Sequence, residues 1–176
     1  MNMGKSFFIT ILSMLVFSAT AFAYSNPRWF NMPISVYVPK TTQGATASNA
    51  FKAWQSASSG VTRFQYRSST NMANLCDIIV EFSDSWPSDD KPYKITQLYT
   101  MFDRDSITSN RGFYYKQVLT VALKDKAGSQ YTDKELYSIV LNAVGESLGI
   151  PAGNFDMAKQ SVTDEDVEAL KKVYRK

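Results

Sequence analysis

The side chains best suited to chemistry lie close together near the C-terminus, in the stretch LYSIVLNAVGESLGIPA. Asn142 and Glu146 stand four residues apart, so a helix places this amide and this carboxylate on one face. Carboxylates supply oxygen ligands to hard cations, and a carboxylate can also act as one member of a hydrolytic pair. Apolar residues recur at i, i+3, i+4 and i+7 in this stretch, which predicts an amphipathic helix with one face in the core.

Two residue types that commonly perform catalysis are scarce. Histidine is absent, which excludes Ser-His-Asp and Cys-His nucleophile arrangements and every histidine-based metal site. The one cysteine, Cys76, cannot form a disulfide within the chain. Alternation over residues 76–82 predicts a strand that buries Cys76 on the face of Ile78, Val80 and Phe82. The 19 Lys and Arg residues nearly balance 16 Asp and Glu, which argues against a nucleic-acid partner.

The N-terminus has the pattern of a signal peptide. Lys5 precedes an apolar run over residues 7–17, and Ala21 to Ala23 forms an A-x-A cleavage signal. Because the apolar run is short for a membrane span, we expect cleavage after residue 23 and no membrane partner thereafter. The remaining residues 24–176 then form one secreted or periplasmic domain. An uncleaved N-terminal anchor is the alternative.

Other elements must position the amphipathic helix that carries Asn142 and Glu146. A T-x-x-E capping box at Thr132 marks the start of that helix, and Gly149 is expected to be the left-handed residue after it. Gly145 is expected to allow close packing in mid-helix. Further helices are predicted over about 46–58 and from Thr163 onward. Alternating segments predict five strands, over residues 34–38, 64–67, 76–82, 93–102 and 116–123.

Two stretches carry a resemblance to the matrixin branch of the metzincin metalloproteases. NAVGESLGIPA is similar to the zinc motif H-E-x-x-H-x-x-G-x-x-H with its chemistry removed. AFKAWQSASSGVTRFQY, followed by CDIIVEF, resembles the family's A-F-x-x-W helix and A-D-I-x-I-x-F strand. The resemblance implies that Asn142, Glu146 and Ala152 stand at the zinc-ligand positions, Ala143 at the general-base position, and Met157 at the Met-turn position.

The resemblance implies an α+β, metzincin-like fold: a twisted, mixed five-stranded sheet packed on two long helices, with a C-terminal helix. An amide, one carboxylate and a methyl group do not replace three imidazoles, and Ala143 cannot take a proton from metal-bound water. We therefore expect no zinc, with calcium as the one metal ion still possible, and a non-catalytic pseudoprotease that binds a peptide or protein ligand. The implied peptide-binding edge strand comprises Thr96, Gln97, Leu98, Tyr99, Thr100 and Met101.

Several alternatives to this function stay open. The chain could be an active zinc-dependent metalloendopeptidase or another metallohydrolase with an unrecognised site. It could be a paired-carboxylate hydrolase that uses Glu146 with Asp156 or Glu135, or a domain left with only a packing role. Glu146 itself is either an ordinary side chain, exposed to solvent or paired with a lysine, or a fixed negative charge in the cleft that binds a basic peptide.

The acidic loop at residues 83–92 is a second candidate ion site. It stands where the resemblance places the family's ion-binding loop, and Asp84, Asp89 and Asp90 offer carboxylate oxygens. Its spacing matches no defined calcium loop, so a solvated surface loop is the other interpretation.

Overall fold

The computed structural model describes residues 25–29, 31–102, 111–151 and 153–174. The predicted signal peptide, residues 1–23, and Ala152 lie outside the described residues. The strands are β1 (Ser25–Trp29), β2 (Ile34–Tyr37), β3 (Phe64–Arg67), β4 (Ile78–Ser83), β5 (Tyr93–Phe102) and β6 (Arg111–Ala122). The helices are α1 (Thr42–Ala57), α2 (Asp133–Ser147) and α3 (Asp164–Tyr174), with a 3-10 helix over Thr70–Leu75.

The strands form one mixed six-stranded sheet. Its order is β1-β6-β4-β2-β3, and β5 pairs with β6 away from this path. The β5–β6 pairing is antiparallel, whereas the other pairings are parallel. The long strand β6 contacts β1 near its start and β4 over its second half, while β5 pairs along its length. Strand β5 therefore forms an edge of the described sheet.

The predicted mixed sheet on two long helices is confirmed, but its strand count and class are corrected. The sixth strand, β1, contains Pro27 and shows no alternation, and it pairs in parallel with the distant β6. Such a pairing has no local sequence signal. Because helix α1 connects the adjacent parallel strands β2 and β3, and most pairings are parallel, the fold is α/β rather than α+β.

Cys76 is buried as predicted, but on the other face of the sheet. Strand β4 begins only at Ile78, and Cys76 ends the 3-10 helix, where its N–H donates to the Ala73 carbonyl. The thiol side chain packs with Tyr37 and Ile79, whereas Ile78 and Val80 belong to the main core. The predicted shared face is therefore wrong, because the alternation of β4 does not extend back to Cys76.

Helix α1 begins four residues before its predicted start. Thr41 caps it by accepting a hydrogen bond from Gly44 N at 3.0 Å. A Cβ at Gly44 would lie 1.9 Å from the Pro39 carbonyl oxygen, so this residue has to be glycine. Gly44 thus permits a close approach of two backbone segments in the first turn of α1.

Helix α2 packs closely on α1 and has the ends that the sequence predicts. Both hydrogen bonds of the Thr132–Glu135 capping box are present, and Gly149 has a φ of 93°. The Trp54 indole of α1 donates to the Leu141 carbonyl at 2.8 Å. A Cβ at Gly145 would lie 2.6 Å from Trp54 Cζ2, which confirms the expected close packing at this glycine.

Strand β1 is held between the ends of α2 and α3. The Trp29 indole donates to the Ser147 carbonyl at 2.9 Å, and Arg28 Nη1 donates to the Tyr174 carbonyl at 3.1 Å. The first contact joins β1 to the end of α2, and the second joins β1 to the end of the C-terminal helix α3. None of the helices in the described part of the chain combines the length and apolar character needed to cross a membrane.

Candidate functional site

A pocket of about 160 Å³ lies where α2, the start of β5 and the loop after Gly149 meet. Both described zinc-ligand positions of the resemblance, Asn142 and Glu146, line this pocket. The structure thus brings together the two polar residues that sequence reasoning singled out. The other lining residues are Trp54, Tyr93, Gly145, Ile150, Pro151, Gly153, Asn154, Phe155, Lys159 and Asp166.

The carboxylate of Glu146 is held by two residues from a distant segment. Lys91 Nζ lies 2.9 Å from Glu146 Oε2, and the Tyr93 hydroxyl donates to the same oxygen at 2.9 Å. Burial raises the pKa of Tyr93, and the neighbouring negative charge of Glu146 raises it further. The phenol therefore stays protonated and serves as a donor. Of the two interpretations of Glu146, pairing with a lysine is confirmed.

The amide of Asn142 holds the loop that follows α2. Its Nδ2 donates to the Ser138 carbonyl at 2.8 Å and to the Asp156 carbonyl at 2.9 Å. Its Oδ1 accepts a hydrogen bond from Asp156 N at 3.5 Å. Met157 follows directly in a turn, where it is half-buried and packs against the main core. Asn142 therefore fixes the turn that carries Met157.

Ala143, which the resemblance places at the general-base position, is not among the residues that line the pocket. It is fully buried in the main hydrophobic core. Its methyl group offers no proton acceptor. Ala152, which the resemblance places at the third ligand position, lies outside the described residues.

The opposite wall of the pocket carries a second ion pair. Lys159 Nζ lies 2.7 Å from Asp166 Oδ1, and the two side chains are 17% and 18% exposed. Partial burial opposes ionisation of Asp166, but hydrogen bonds from Lys159 and the Thr163 backbone outweigh it and lower the pKa of this carboxyl. Lys159 Nζ also lies 5.7 Å from the centre of the Trp54 ring, a cation–π distance.

The carboxylates proposed as catalytic partners of Glu146 are directed elsewhere. Glu135 lies in the first turn of α2, where hydrogen bonds from Thr132 lower the pKa of its carboxyl. Asp156 Oδ1 accepts a hydrogen bond from Ala158 N at 2.8 Å. Neither residue lines the pocket. Across the described ranges, no group of three or more His, Cys, Asp or Glu residues is placed to hold a metal ion.

The acids of the 83–92 loop each contact a different partner. Asp84 Oδ1 lies 3.0 Å from Lys124 Nζ, and Asp90 Oδ1 accepts a hydrogen bond from Ser88 Oγ at 2.8 Å. Asp89 contributes its backbone carbonyl, which accepts a hydrogen bond from Lys126 Nζ at 2.7 Å. The carboxylates of Asp84 and Asp90 are thus engaged by a lysine and a serine, and Asp84 and Asp89 both line an open surface cavity beside Asp125.

The first half of β5 presents backbone groups at the sheet edge. Ala122 N donates to the Pro92 carbonyl at 2.8 Å, so Pro92 and Ala122 form a hydrogen-bonded pair. Hydrogen-bonded pairs alternate with non-bonded pairs along an antiparallel ladder. The backbone N–H and C=O groups of Lys94 and Thr96 therefore also point towards β6. Tyr93 and Ile95 then direct their N–H and C=O groups away from β6, towards the edge.

The second half of β5 is irregular. The pairing with β6 shifts between Gln97 and Tyr99 and again between Tyr99 and Thr100. Leu98, at the first shift, is 45% exposed. The predicted binding edge, residues 96–101, thus coincides with the irregular part, and the side chains of residues 99–101 lie outside the described ones. Its role in binding stays a prediction.

No family model and no curated protein matches this chain. The site is therefore characterised by its own residues. Sequence reasoning identified Asn142 and Glu146 but missed Lys91, Lys159 and Asp166. Ion pairs between distant segments leave no local pattern, and only the Thr163-x-x-Asp166 capping arrangement was detectable in the sequence.

Proposed function

We propose that this chain is a secreted, non-catalytic peptide-binding domain of the matrixin type, a pseudoprotease. The observation that carries the proposal is the placement of Glu146. This residue, at a ligand position of the resemblance, is paired with Lys91 and Tyr93 directly beside a strand edge. The chemistry of a metalloprotease is replaced there by internal contacts, while the neighbouring strand keeps an edge that can accept another strand.

The architecture supports the matrixin type. The sheet is mixed, with its antiparallel strand β5 at an edge beside the helix that carries Asn142 and Glu146. Gly149 ends that helix in the left-handed conformation, and Met157 lies in a turn held by Asn142. A C-terminal helix is also present, as the resemblance implies.

The residue chemistry supports a loss of hydrolysis. Asn142 uses its amide to hold the Asp156 backbone, and the Glu146 carboxylate is compensated by a lysine. Ala143 has no group that accepts a proton, so water at this site has no general base in the position the resemblance assigns to one. Hydrolysis by the mechanism of the family then lacks both its ligand set and its base.

The strand edge supports peptide binding by strand addition. Tyr93 and Ile95 offer outward N–H and C=O groups, and these can bond an extended peptide as a further strand. Each net backbone hydrogen bond contributes about 0.5–1.5 kcal/mol, so a short segment provides measurable affinity. The shifts beyond Gln97 interrupt the edge, so the proposal assigns binding to the first half of β5.

Peptide selection tests the proposal. Residues 24–176 are immobilised and used to select from a random twelve-residue peptide library. An enriched peptide is then resynthesised with single N-methyl groups at successive residues. Strand addition predicts that N-methylation weakens binding at every second residue, about tenfold each, and leaves the intervening residues unaffected.

The intervening residues serve as the internal control for this experiment. No enrichment of any sequence, or N-methylation effects without a period of two, would contradict binding by strand addition to β5. Cleavage of an enriched peptide by the purified protein would contradict the non-catalytic assignment.

A further inference from the structure

The pocket beside β5 gives this proposed binding a specificity that can be derived from its charges. Resting on the proposed function, we infer that the pocket receives one uncharged side chain of the bound peptide. Lys91 and Lys159 determine this preference, because each neutralises a carboxylate of the pocket wall. Lys91 and Lys159 are thus specificity-determining residues of the binding site.

The charges around the pocket are paired one to one. Glu146 and Asp166 are the acids of the wall, and they lie 2.9 Å from Lys91 and 2.7 Å from Lys159, respectively. All four side chains are at least 70% buried, so solvent screens these charges less than at an open surface. A peptide side chain with a charge of its own would lose hydration in the pocket without gaining an unpaired partner.

The size of the pocket fits one side chain. Its volume is about 160 Å³. A cavity of about 150 Å³ is large enough to hold a benzene-sized group. Aromatic contact surface comes from Tyr93 and Phe155, whose ring centres lie 6.0 Å apart in an edge-to-face arrangement, and from Trp54. The pocket therefore suits an aliphatic or single-ring side chain.

The position of the pocket matches the strand edge. Tyr93 lines the pocket and is also the first residue of β5. In adjacent strands, residues opposite one another project their side chains to the same face of the sheet. A peptide residue paired with Tyr93 therefore projects its side chain towards α2, where the pocket lies.

Lys91 is engaged by the protein and not available to a ligand. Its side chain is 16% exposed, its Nζ contacts Glu146, and it lies 5.5 Å from the centre of the Tyr93 ring. Removing its charge leaves the Glu146 carboxylate, 30% exposed, as an unpaired acid at the pocket. The pocket should then attract a basic side chain.

The same peptide library tests this inference. It is selected on the unaltered residues 24–176, on Lys91→Met, on Glu146→Gln and on the double variant. The unaltered protein is expected to select an uncharged residue at one fixed position. Lys91→Met is expected to enrich Lys or Arg at that position about tenfold, and the double variant is expected to restore the original preference.

Two further variants keep the test decisive. Lys171→Met removes a lysine from the exposed pair with Glu168 and should leave the selection unchanged. If Lys91→Met does not give a cooperative melt, Lys159→Met leaves Asp166 unpaired and should produce the same shift towards basic residues. Glu146→Gln leaves Lys91 without its partner and should shift the selection towards Asp or Glu.

The outcomes separate this inference from the proposed function. Enriched peptides whose charge preference is the same in every variant would overturn the role of the lysines and leave peptide binding intact. A charged residue selected at the fixed position by the unaltered protein would also overturn it. No enrichment by any variant would overturn the proposed function together with this inference.

Discussion

Lys91 Nζ lies 2.9 Å from Glu146 Oε2 and so joins the segment before β5 to the C-terminal part of α2. The Tyr93 hydroxyl donates to the same carboxylate oxygen. Glu146 occupies a position that the matrixin resemblance assigns to a zinc ligand. In this protein the positive charge beside that position is supplied by a lysine of the chain itself.

Lys91→Met is expected to lower the free energy of unfolding by about 1–2 kcal/mol, because it leaves a partly buried carboxylate unpaired. Urea denaturation of residues 24–176 measures this loss. Lys171→Met, in the exposed pair with Glu168, provides the matched control and should stay within about 0.5 kcal/mol of the unaltered protein. Equal effects from the two variants would show that the Lys91–Glu146 pair has no special role.

Gly145→Ala is expected to destabilise the protein although alanine favours helices. The added Cβ would lie 2.6 Å from the Trp54 ring, and this ring is held in place by the hydrogen bond from its indole N–H to the Leu141 carbonyl. Overpacking of about 1–3 kcal/mol should exceed the helix-propensity gain of about 1 kcal/mol. Thermal unfolding checks this result.

The matched control for this substitution is Gly153→Ala. No heavy atom lies within 4 Å of a Cβ built at Gly153. Its melting temperature should therefore remain close to that of the unaltered protein. A stabilised Gly145→Ala variant would contradict the close packing of α2 on Trp54.

Tyr66→Phe is expected to flatten the alkaline limb of the stability curve. Burial raises the pKa of Tyr66 from 10.0 to about 12, and within the described residues its buried hydroxyl has no hydrogen-bond partner. The unfolded chain releases this proton near pH 10 while the native state retains it, so stability falls as the pH rises from about 10 to 12.

This effect of Tyr66 is measured by urea denaturation at pH 7 and at several values between pH 9 and pH 12. At pH 7 the variant should be equal to the unaltered protein or more stable by up to about 1 kcal/mol, because an unpaired buried hydroxyl is removed. A large loss of stability at pH 7 would indicate that the hydroxyl has a partner.

Asn142→His with Glu146→His, in a Lys91→Met background, is expected to create zinc affinity. The two histidines would stand four residues apart at one pocket, without a competing lysine. Zinc at about one hundred times its Kd should then stabilise the fold by about 2.7 kcal/mol. Glu146→His in the same background is the control, and an equal rise in its melting temperature would contradict the shared placement.

Three features with a local signal were predicted accurately from the sequence. The Thr132–Glu135 box, the left-handed Gly149 and the extent of β5 follow from patterns within a few residues, and all three are confirmed. Strand β1 could not be predicted in this way, because it is defined by pairing with the remote strand β6. The four-residue spacing of Asn142 and Glu146 on a helix is also a local signal, and it predicted that the two residues share one face.

The contacts that give the pocket its character were not predictable. Lys91 meets Glu146, and Lys159 meets Asp166, only after the chain has folded. The sequence indicated that Glu146 had either a lysine partner or a free charge, and nothing in its neighbourhood distinguished the two. Cys76 shows that a local pattern can also mislead. The alternation predicts a strand from Cys76, but β4 begins two residues later, at Ile78, and Cys76 packs on the other face of the sheet.

The most direct test of a non-catalytic, metal-free fold is metal analysis of residues 24–176, purified without a histidine tag. The melting temperature is measured alongside it, in zinc and in chelator. We expect zinc far below one equivalent and melting temperatures that agree within about 1 °C, because no binding energy is linked to folding. Near-stoichiometric zinc, with a melting temperature that falls on chelation, would contradict the pseudoprotease assignment.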